Sequence, residues 1–444
     1  MSQKKTLLSV SLLIFLGALE KTIVTTPLPV IGTELNAMND IAWVVTAYLL
    51  TATSVIPICG KLSDLFGRLK VIIVSLGIFS IGSLLCALAT DMPSLILARA
   101  LQGVGGGALI SLAFVVISDA IPAREIGRYQ GYISAIYVAS NIAGPVFGSL
   151  LTEHLSWRWI FAINIPLALL AAFISVRNIK DKVVKRKDKF NWGGSLLLVS
   201  STTLLILLLS EDLSLSQTFT LVGALFIAGA WTYLLTDKKR SVVPRHLFKL
   251  PNYAACILTM GVSQILMTAA LIYFPLQMQT QNGVSLTVSG YSMLLFTLGV
   301  CVSAYFSGKH IAATGAYKTH ILLGFILLAI AFFLMLMKVA FAPLFPIIGL
   351  GIGFTLPGLT CAVQNVLPAA DRGVGISFFG YVRELSGAAG VVICSSLYHG
   401  GGSLQAAYSA FGAVYLAMCL FASLAFIIVA GFITEKELMT QVAE

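Results

Sequence analysis

Charge is the scarcest thing in this sequence. Of 444 residues, 28 are Lys or Arg and 18 are Asp or Glu, so one residue in ten is charged, against about one in four in a soluble domain. That is too few to cover a globule in water. Metal-site spacing is absent too. The seven cysteines (Cys59, Cys86, Cys256, Cys301, Cys361, Cys394 and Cys419) lie in apolar runs or at their ends. They read as small packing residues, not as a zinc site or a disulfide framework. His154, His246, His310, His320 and His399 are scattered, with no ligand spacing. No GxxxxGK followed by Ser or Thr occurs, so no ATP-driven motor is encoded. GVGGG at 103–107 is a fragment of a dinucleotide fingerprint, but it sits inside an apolar run with no strand before it. Close helix packing explains it. With no metal cluster and no activated nucleophile, an integral membrane enzyme is disfavoured. The lack of a sizeable soluble segment disfavours a receptor.

What the chain has instead is apolar length: 58% of it is hydrophobic. Runs of roughly 18–26 residues recur from end to end, each able to cross a ~30 Å hydrocarbon core. The reading is an all-α polytopic protein of fourteen spans, at 6–30, 41–59, 71–89, 94–118, 129–151, 159–176, 192–210, 218–236, 253–278, 289–307, 319–337, 341–366, 373–397 and 405–433. A β-barrel would need alternating ten-residue segments. MSQKK followed by an apolar run has the outline of a signal peptide. However, no small-residue cleavage site follows and the run carries Glu20 and Lys21, so it is kept as the first span.

The formal charge of +10 would suggest nucleic acid in a soluble protein. Here the basic residues follow alternate loops instead. Lys4 and Lys5 precede span one, and Lys61, Arg68 and Lys70 follow span two. Arg124 and Arg128 follow span four. Basic clusters at 177–189 and 238–249 follow spans six and eight, Lys309 and Lys318 follow span ten, and Arg372 follows span twelve. The opposite loops hold Glu34, Asp40, Asp91, Glu153, Glu211 and Asp212, with Arg158 and Lys338 as the basic exceptions. This asymmetry places both termini in the cytoplasm.

GKLSDLFGRLK at 60–70 has an echo in GKHIAATGAYK at 308–318, with Gly60, Lys61, Gly67 and Lys70 matched by Gly308, Lys309, Gly315 and Lys318. The repeat implies two related halves. The copies follow spans two and ten, eight helices apart, so two extra helices lie between two six-helix halves. The expected organisation is an N-terminal bundle at 1–177, two linker helices with basic flanks at 178–252, and a C-terminal bundle at 253–444.

Five ionisable residues fall inside spans: Glu20, Lys21, Arg99, Arg383 and Glu384. An ionised side chain at mid-bilayer costs roughly 2.5–3.5 kcal/mol on insertion scales, so few are kept without a role or a partner. A carboxyl group at that depth lowers its cost by binding a proton. If it is wetted from alternating sides, it carries protons across. Glu20 is the first candidate for this and Glu384 the second. The bland alternative is a salt bridge that only pins helices, such as Glu20 to Arg383 or Glu384 to Arg99. Gln102 shares a helix face with Arg99. Asp64 can accept from a helix N-terminus or pair with a nearby Arg, Arg128 being one candidate, and so hold the cytoplasmic side shut. The second copy has Ala312 at that place. Gly60 and Gly67 allow close backbone approach. Gly144-Pro145 breaks a helical hydrogen-bond ladder. Gln264, Tyr273, Gln277, Asn365, Phe378, Phe379 and Tyr381 are candidate lining for a bulky amphipathic ligand, with helix packing as the competing role.

Four motifs in order on the expected spans resemble those of the major facilitator superfamily, of the fourteen-helix drug:proton antiporter (DHA2) kind. GKLSDLFGRLK is similar to its loop signature, and LARALQGVGGG (97–107) to its helix-four motif. ASNIAGPVFGS (139–149), with Gly131, Gly144, Pro145 and Gly148 matching, resembles its antiporter motif. There Ser140 and Ser149 replace glycines. LEKTIVTTPLPVI (19–31) resembles its helix-one motif, with Glu20 where Asp is usual and Lys21 unexpected. The resemblance implies two bundles around a central cavity, Arg99 as a cavity cation sensing a carboxylate, and Gly144, Pro145 and Gly148 favouring exchange over leak. It also implies gating by Gly60, Asp64, Gly67, Arg68 and Arg128. No cofactor is expected beyond a proton gradient. The expected partners are protons, a small organic substrate and the lipid bilayer, with no nucleic acid and any periplasmic adaptor left open. The expectation is a monomer in a bacterial cytoplasmic membrane, exporting either many drugs or one anionic metabolite such as a carboxylate siderophore, which Lys21, Arg99 and Arg383 would suit.

Overall fold

A computed structural model describes residues 3–179, 191–209, 217–236, 245–280, 286–337, 344–368, 371–397 and 404–435. The linkers at 180–190 and 237–244, Glu211, Asp212, Lys338 and the side chain of Arg128 lie outside the described residues. Among the described residues every regular element is helical: α1 (Gln3–Ile23), α2 (Leu28–Glu34), α3 (Ile41–Phe66), α4 (Arg68–Ala87), α5 (Met92–Ala120), α6 (Ala123–His154), α7 (Trp159–Ala162), α8 (Asn164–Asn178), α9 (Trp192–Leu209), α10 (Gln217–Thr236), α11 (Pro251–Thr280), α12 (Leu286–Thr314), α13 (Tyr317–Leu336), α14 (Leu344–Val366), α15 (Arg372–Leu397) and α16 (Leu404–Phe432). Among the described residues eleven stretches are long and apolar enough to span a membrane, and α9 and α10 carry shorter apolar stretches, Trp192–Leu205 and Gly223–Leu234. This is an integral membrane protein. The helix α15, which carries Arg383 and Glu384, is not among the eleven.

Two expected spans are broken in two, and proline accounts for both breaks. The run 6–30 divides over residues 24–27, where Pro27 stands as N-cap of α2. Its ring disfavours helical backbone in the residue before it. The run 159–176 divides into α7 and α8 around Ile163. Pro166 has no N–H to give the carbonyl four residues back, so the ladder is interrupted just after Ala162.

The loop signature also differs from a solvated turn. The helix α3 continues through Lys61–Phe66, and Gly67 alone joins it to α4. Gly67 has φ +97°, and Gly315 in the second copy has φ +81°. Both lie in the left-handed region that glycine enters without a Cβ clash. Two of the signature's charged residues are largely withdrawn from water because they neutralise each other, the Asp64 side chain 4% exposed and that of Arg68 13%, while Lys70 is exposed.

The chain forms two compact units. The first comprises Met1–Ile121, Ala135–Arg245 and Pro368–Tyr381. Its centre is α5, packed against α1, α3 and α4, with α8 against α1 and α4 and α9 against α3 and α10. The GVGGG run makes this density possible. A Cβ on Gly105 would meet the backbone of Phe79 in α4, and one on Gly107 the backbone of Ala52 in α3. The N-terminus of α5 is fixed by a capping box, with Asp91 accepting from the Ser94 backbone at 2.8 Å. In the second unit, α14 packs on α11, α12 and α13, and α16 on α11 and α13. Phe345 stacks on Phe274 with ring centroids 3.6 Å apart. Asn252 ties the start of α11 to Thr434 after α16, at 3.1 and 3.0 Å.

Candidate functional site

Glu20 lies in the last turn of α1 and is fully buried. Its Oε1 pairs with Nη1 of Arg99, itself 1% exposed. Its Oε2 accepts from Nδ2 of Asn164, the first residue of α8. The helix α5 brings Arg99 to this level, and further bonds from Nε and Nη1 hold the guanidinium there. Its Nε donates to the Val44 carbonyl of α3 at 3.0 Å, and Nη1 also donates to Gln102 Oε1 at 2.5 Å. Gln102 in turn donates to Ser83 of α4 at 2.8 Å, and the Cys86 thiol lies 3.6 Å from Gln102 Oε1. Rings close the site: the Arg99 guanidinium carbon is 4.4 Å from the Tyr48 ring centroid and 5.6 Å from that of Phe161. Glu20, Arg99 and Gln102 are therefore one network, drawn from α1, α3, α4, α5 and α8.

This pairing corrects the bridges imagined from sequence. Glu20 goes to Arg99, not Arg383. Arg383 Nη2 lies 3.2 Å from its own neighbour Glu384, both side chains partly exposed at 19% and 25%. The reason is topological: α1 packs directly on α5.

A second cluster stands in the first unit. Asp64 Oδ1 accepts from Arg68 Nη1 at 2.6 Å, and its Oδ2 accepts the Val374 backbone N–H at 2.9 Å. Val374 belongs to the first turn of α15, so the carboxylate caps that helix. Arg68 also donates to Ser63 at 2.7 Å and to Asp119 at 2.9 Å. Alongside, Ser111 bonds Ser377 of α15 at 2.8 Å, and Gly60 packs against Ser377. Gly373 leaves room for the Asp64 carboxylate.

The other sequence candidates fall elsewhere. Gly144 and Gly148 of α6 face Thr22 and Ile23 of α1, just beyond Glu20, and Pro145 lies inside α6. Tyr381 bonds Thr202 of α9 at 2.7 Å and stacks on Trp231 of α10, and Phe378 packs near it. Phe379 and Asn365 are buried, and Lys21 is partly exposed. In the second unit Gln277 bonds Tyr415, Tyr273 is buried, and Gln264 flanks Gly387. Sequence reasoning missed Asn164 and Asp119. Each had a faint signal: Asn164 is an amide at the start of an apolar run, and Asp119 is an acid closing the helix that carries Arg99.

Apart from both clusters, Glu34 bonds Arg158 at 2.5 Å and the Trp157 indole at 2.8 Å. The Arg158 hydrogen bond holds the Glu34 carboxyl below its ordinary range.

Residues 10–391 match the sequence model of the Major Facilitator Superfamily. The chain belongs to that superfamily. It is 32% identical over 391 residues to the MFS-type transporter Rv1877 of Mycobacterium tuberculosis, covering 85% of this chain but only 57% of the relative's length. It is 31% identical to the multidrug transporter protein MdtP of Bacillus subtilis, over 89% of this chain and 75% of that one. In fold it is similar to the human organic anion transporter MFSD10, with a TM-score of 0.70 at 14% identity over 97% of this chain and all of the other.

Proposed function

We propose that this superfamily member is a proton-coupled exporter of organic compounds, a multidrug antiporter of the fourteen-helix DHA2 type. Both termini face the cytoplasm of a bacterial cell, and the bundles 1–177 and 253–444 rock about a central cavity with the two linker helices of 178–252 between them in sequence. It needs no cofactor beyond the proton gradient and works as a monomer. The multidrug reading is supported by the similarity to MdtP.

The observation that carries the coupling is the buried pair of Glu20 and Arg99. A proton on Glu20 cancels the carboxylate and leaves Arg99 as an uncompensated cation. Breaking a buried pair in this way costs several kcal/mol, which is enough to couple protonation to a conformational equilibrium. Opening of the cytoplasmic side would release the Asp64 cap on α15.

The same pair makes the sign of the substrate decide the direction of coupling. A lipophilic cation prefers the ionised Glu20, so proton and substrate exclude each other and exchange. An anion that takes Arg99 competes with the Glu20 carboxylate, so a proton on Glu20 promotes its binding and the two travel together. The dedicated anion exporter is the second reading, supported by the remaining cations, Lys21 and Arg383. It requires the anion to bind away from Arg99.

The test is flux in proteoliposomes under an imposed pH gradient, with ethidium as the cation and citrate as the anion. Ethidium moving against the proton flow is expected. Citrate export in its place supports the second reading, and no gradient-driven flux of either rejects proton-coupled transport for these probes.

A further inference from the structure

The partners of Glu20 are unequal in one respect. Arg99 is committed, by its Nε to Val44 and its Nη1 to Gln102. Gln102 is committed at both ends, its oxygen to Arg99 and its nitrogen to Ser83. Asn164 is not. Its Nδ2 donates to Glu20 Oε2 and only at 3.5 Å to the Ile160 carbonyl, while its Oδ1 is buried with no hydrogen-bond partner among the described residues. An orphaned amide oxygen at 0% exposure is costly, and orphans of this kind call for an explanation.

The orphan has a use if Glu20 changes its proton. A carboxylate only accepts hydrogen bonds, whereas a carboxylic acid must also donate one. Arg99 donates only, so it cannot receive the acid's O–H. A primary amide presents a donor on one side and an acceptor on the other. Rotated by half a turn about its Cβ–Cγ bond, Asn164 offers Oδ1 where Nδ2 now stands, exchanging its donation to Glu20 for an accepted bond and giving up the long contact to Ile160. We infer that Asn164 is the positioning residue for Glu20, donating to its carboxylate and accepting from its carboxylic acid, so that Glu20 keeps one place through the proton cycle. This rests on the proposed role of Glu20 as the proton carrier.

The test uses the full chain in proteoliposomes with ethidium as the probe and two readouts: ethidium exchange at equal pH on both sides, and ethidium transport driven by a pH gradient. Asn164→Leu keeps the approximate volume and removes both donor and acceptor. It is expected to cut gradient-driven transport by roughly ten- to a hundredfold more than it cuts exchange, the size of losing a hydrogen bond to a charged group. Asn164→Thr, whose hydroxyl both donates and accepts, is expected to restore most of the driven transport. Equal loss of both readouts in Asn164→Leu while Asn164→Thr behaves like wild type in neither, or driven transport intact in Asn164→Leu, overturns the inference. Glu20→Gln separates this from the parent reading: if that variant keeps full gradient-driven transport, the proton role of Glu20 fails, whatever Asn164 does.

Discussion

Replacing Asp64 by Asn removes one charge and almost no volume from the junction of α3, α4 and α15. The carboxylate accepts the Val374 N–H at 2.9 Å and the Arg68 guanidinium at 2.6 Å while 4% exposed. An amide keeps one neutral acceptor but loses the charge assistance of both bonds. A hydrogen bond to a charged group contributes about 1.5–3 kcal/mol, or roughly 10- to 150-fold in an equilibrium constant. Arg68 is not orphaned, because Asp119 still accepts from it, so the fold should survive. The reporter is Ser377→Cys, a substitution at a fully buried hydroxyl that faces Ser111 across the same junction. Its rate of reaction with a maleimide measures how often the junction opens. Asp64→Asn should raise that rate by roughly tenfold or more over the same reporter alone, with the reporter-free parent as background. An unchanged or slower rate refutes the claim that the cap holds α15 in place. Asp119→Asn is the internal control. Asp119 is 33% exposed, so its loss should change the rate by less than about fivefold.

Other outcomes follow from the same geometry. Arg99→Met leaves Glu20 buried opposite no cation and should lower stability in detergent by about 3 kcal/mol. The double variant Glu20→Gln with Arg99→Met should recover most of that loss without recovering proton coupling, which thermal unfolding and driven flux measure separately. Gly67→Ala forces a side chain to φ +97° and should cost about 1–3 kcal/mol. Gly315→Ala meets nothing within 4 Å at φ +81° and should cost about 1 kcal/mol, so the two melting temperatures should fall in that order. Glu34 has its carboxyl held below the ordinary 4.5 by Arg158. The stability it contributes is therefore present above about pH 4.5 and lost as the pH falls through the lower folded value. Glu34→Gln should flatten that acid limb of the melting temperature, and an unchanged limb contradicts the assignment.

Helix positions were legible in the sequence because apolar length and the scarcity of charge report them directly. Glu20 and Arg99 were legible as misfits in apolar runs. Their mutual pairing was not, because sequence offers Glu20 to Arg383 and Glu384 to Arg99 just as readily, and only the packing of α1 on α5 decides. Asp64 was legible as an acceptor for a helix N-terminus, but nothing marked the first turn of α15, some 310 residues later, as that terminus. The loop signature read as solvated because its charges were counted singly, whereas Asp64 and Arg68 neutralise each other and stay buried. Asn164 was overlooked because a lone amide in an apolar run carries no charge to betray it. Its significance is the neighbour it meets.

The most direct measurement follows protons and ethidium together in proteoliposomes, comparing wild type with Glu20→Gln at matched protein density in the membrane. The account predicts that ethidium efflux by the wild type is accompanied by opposite proton movement. It predicts that Glu20→Gln binds ethidium more weakly, and that the ethidium it still exchanges at equal pH is neither accompanied by protons nor responsive to the gradient. Undiminished proton-coupled efflux by Glu20→Gln would contradict it.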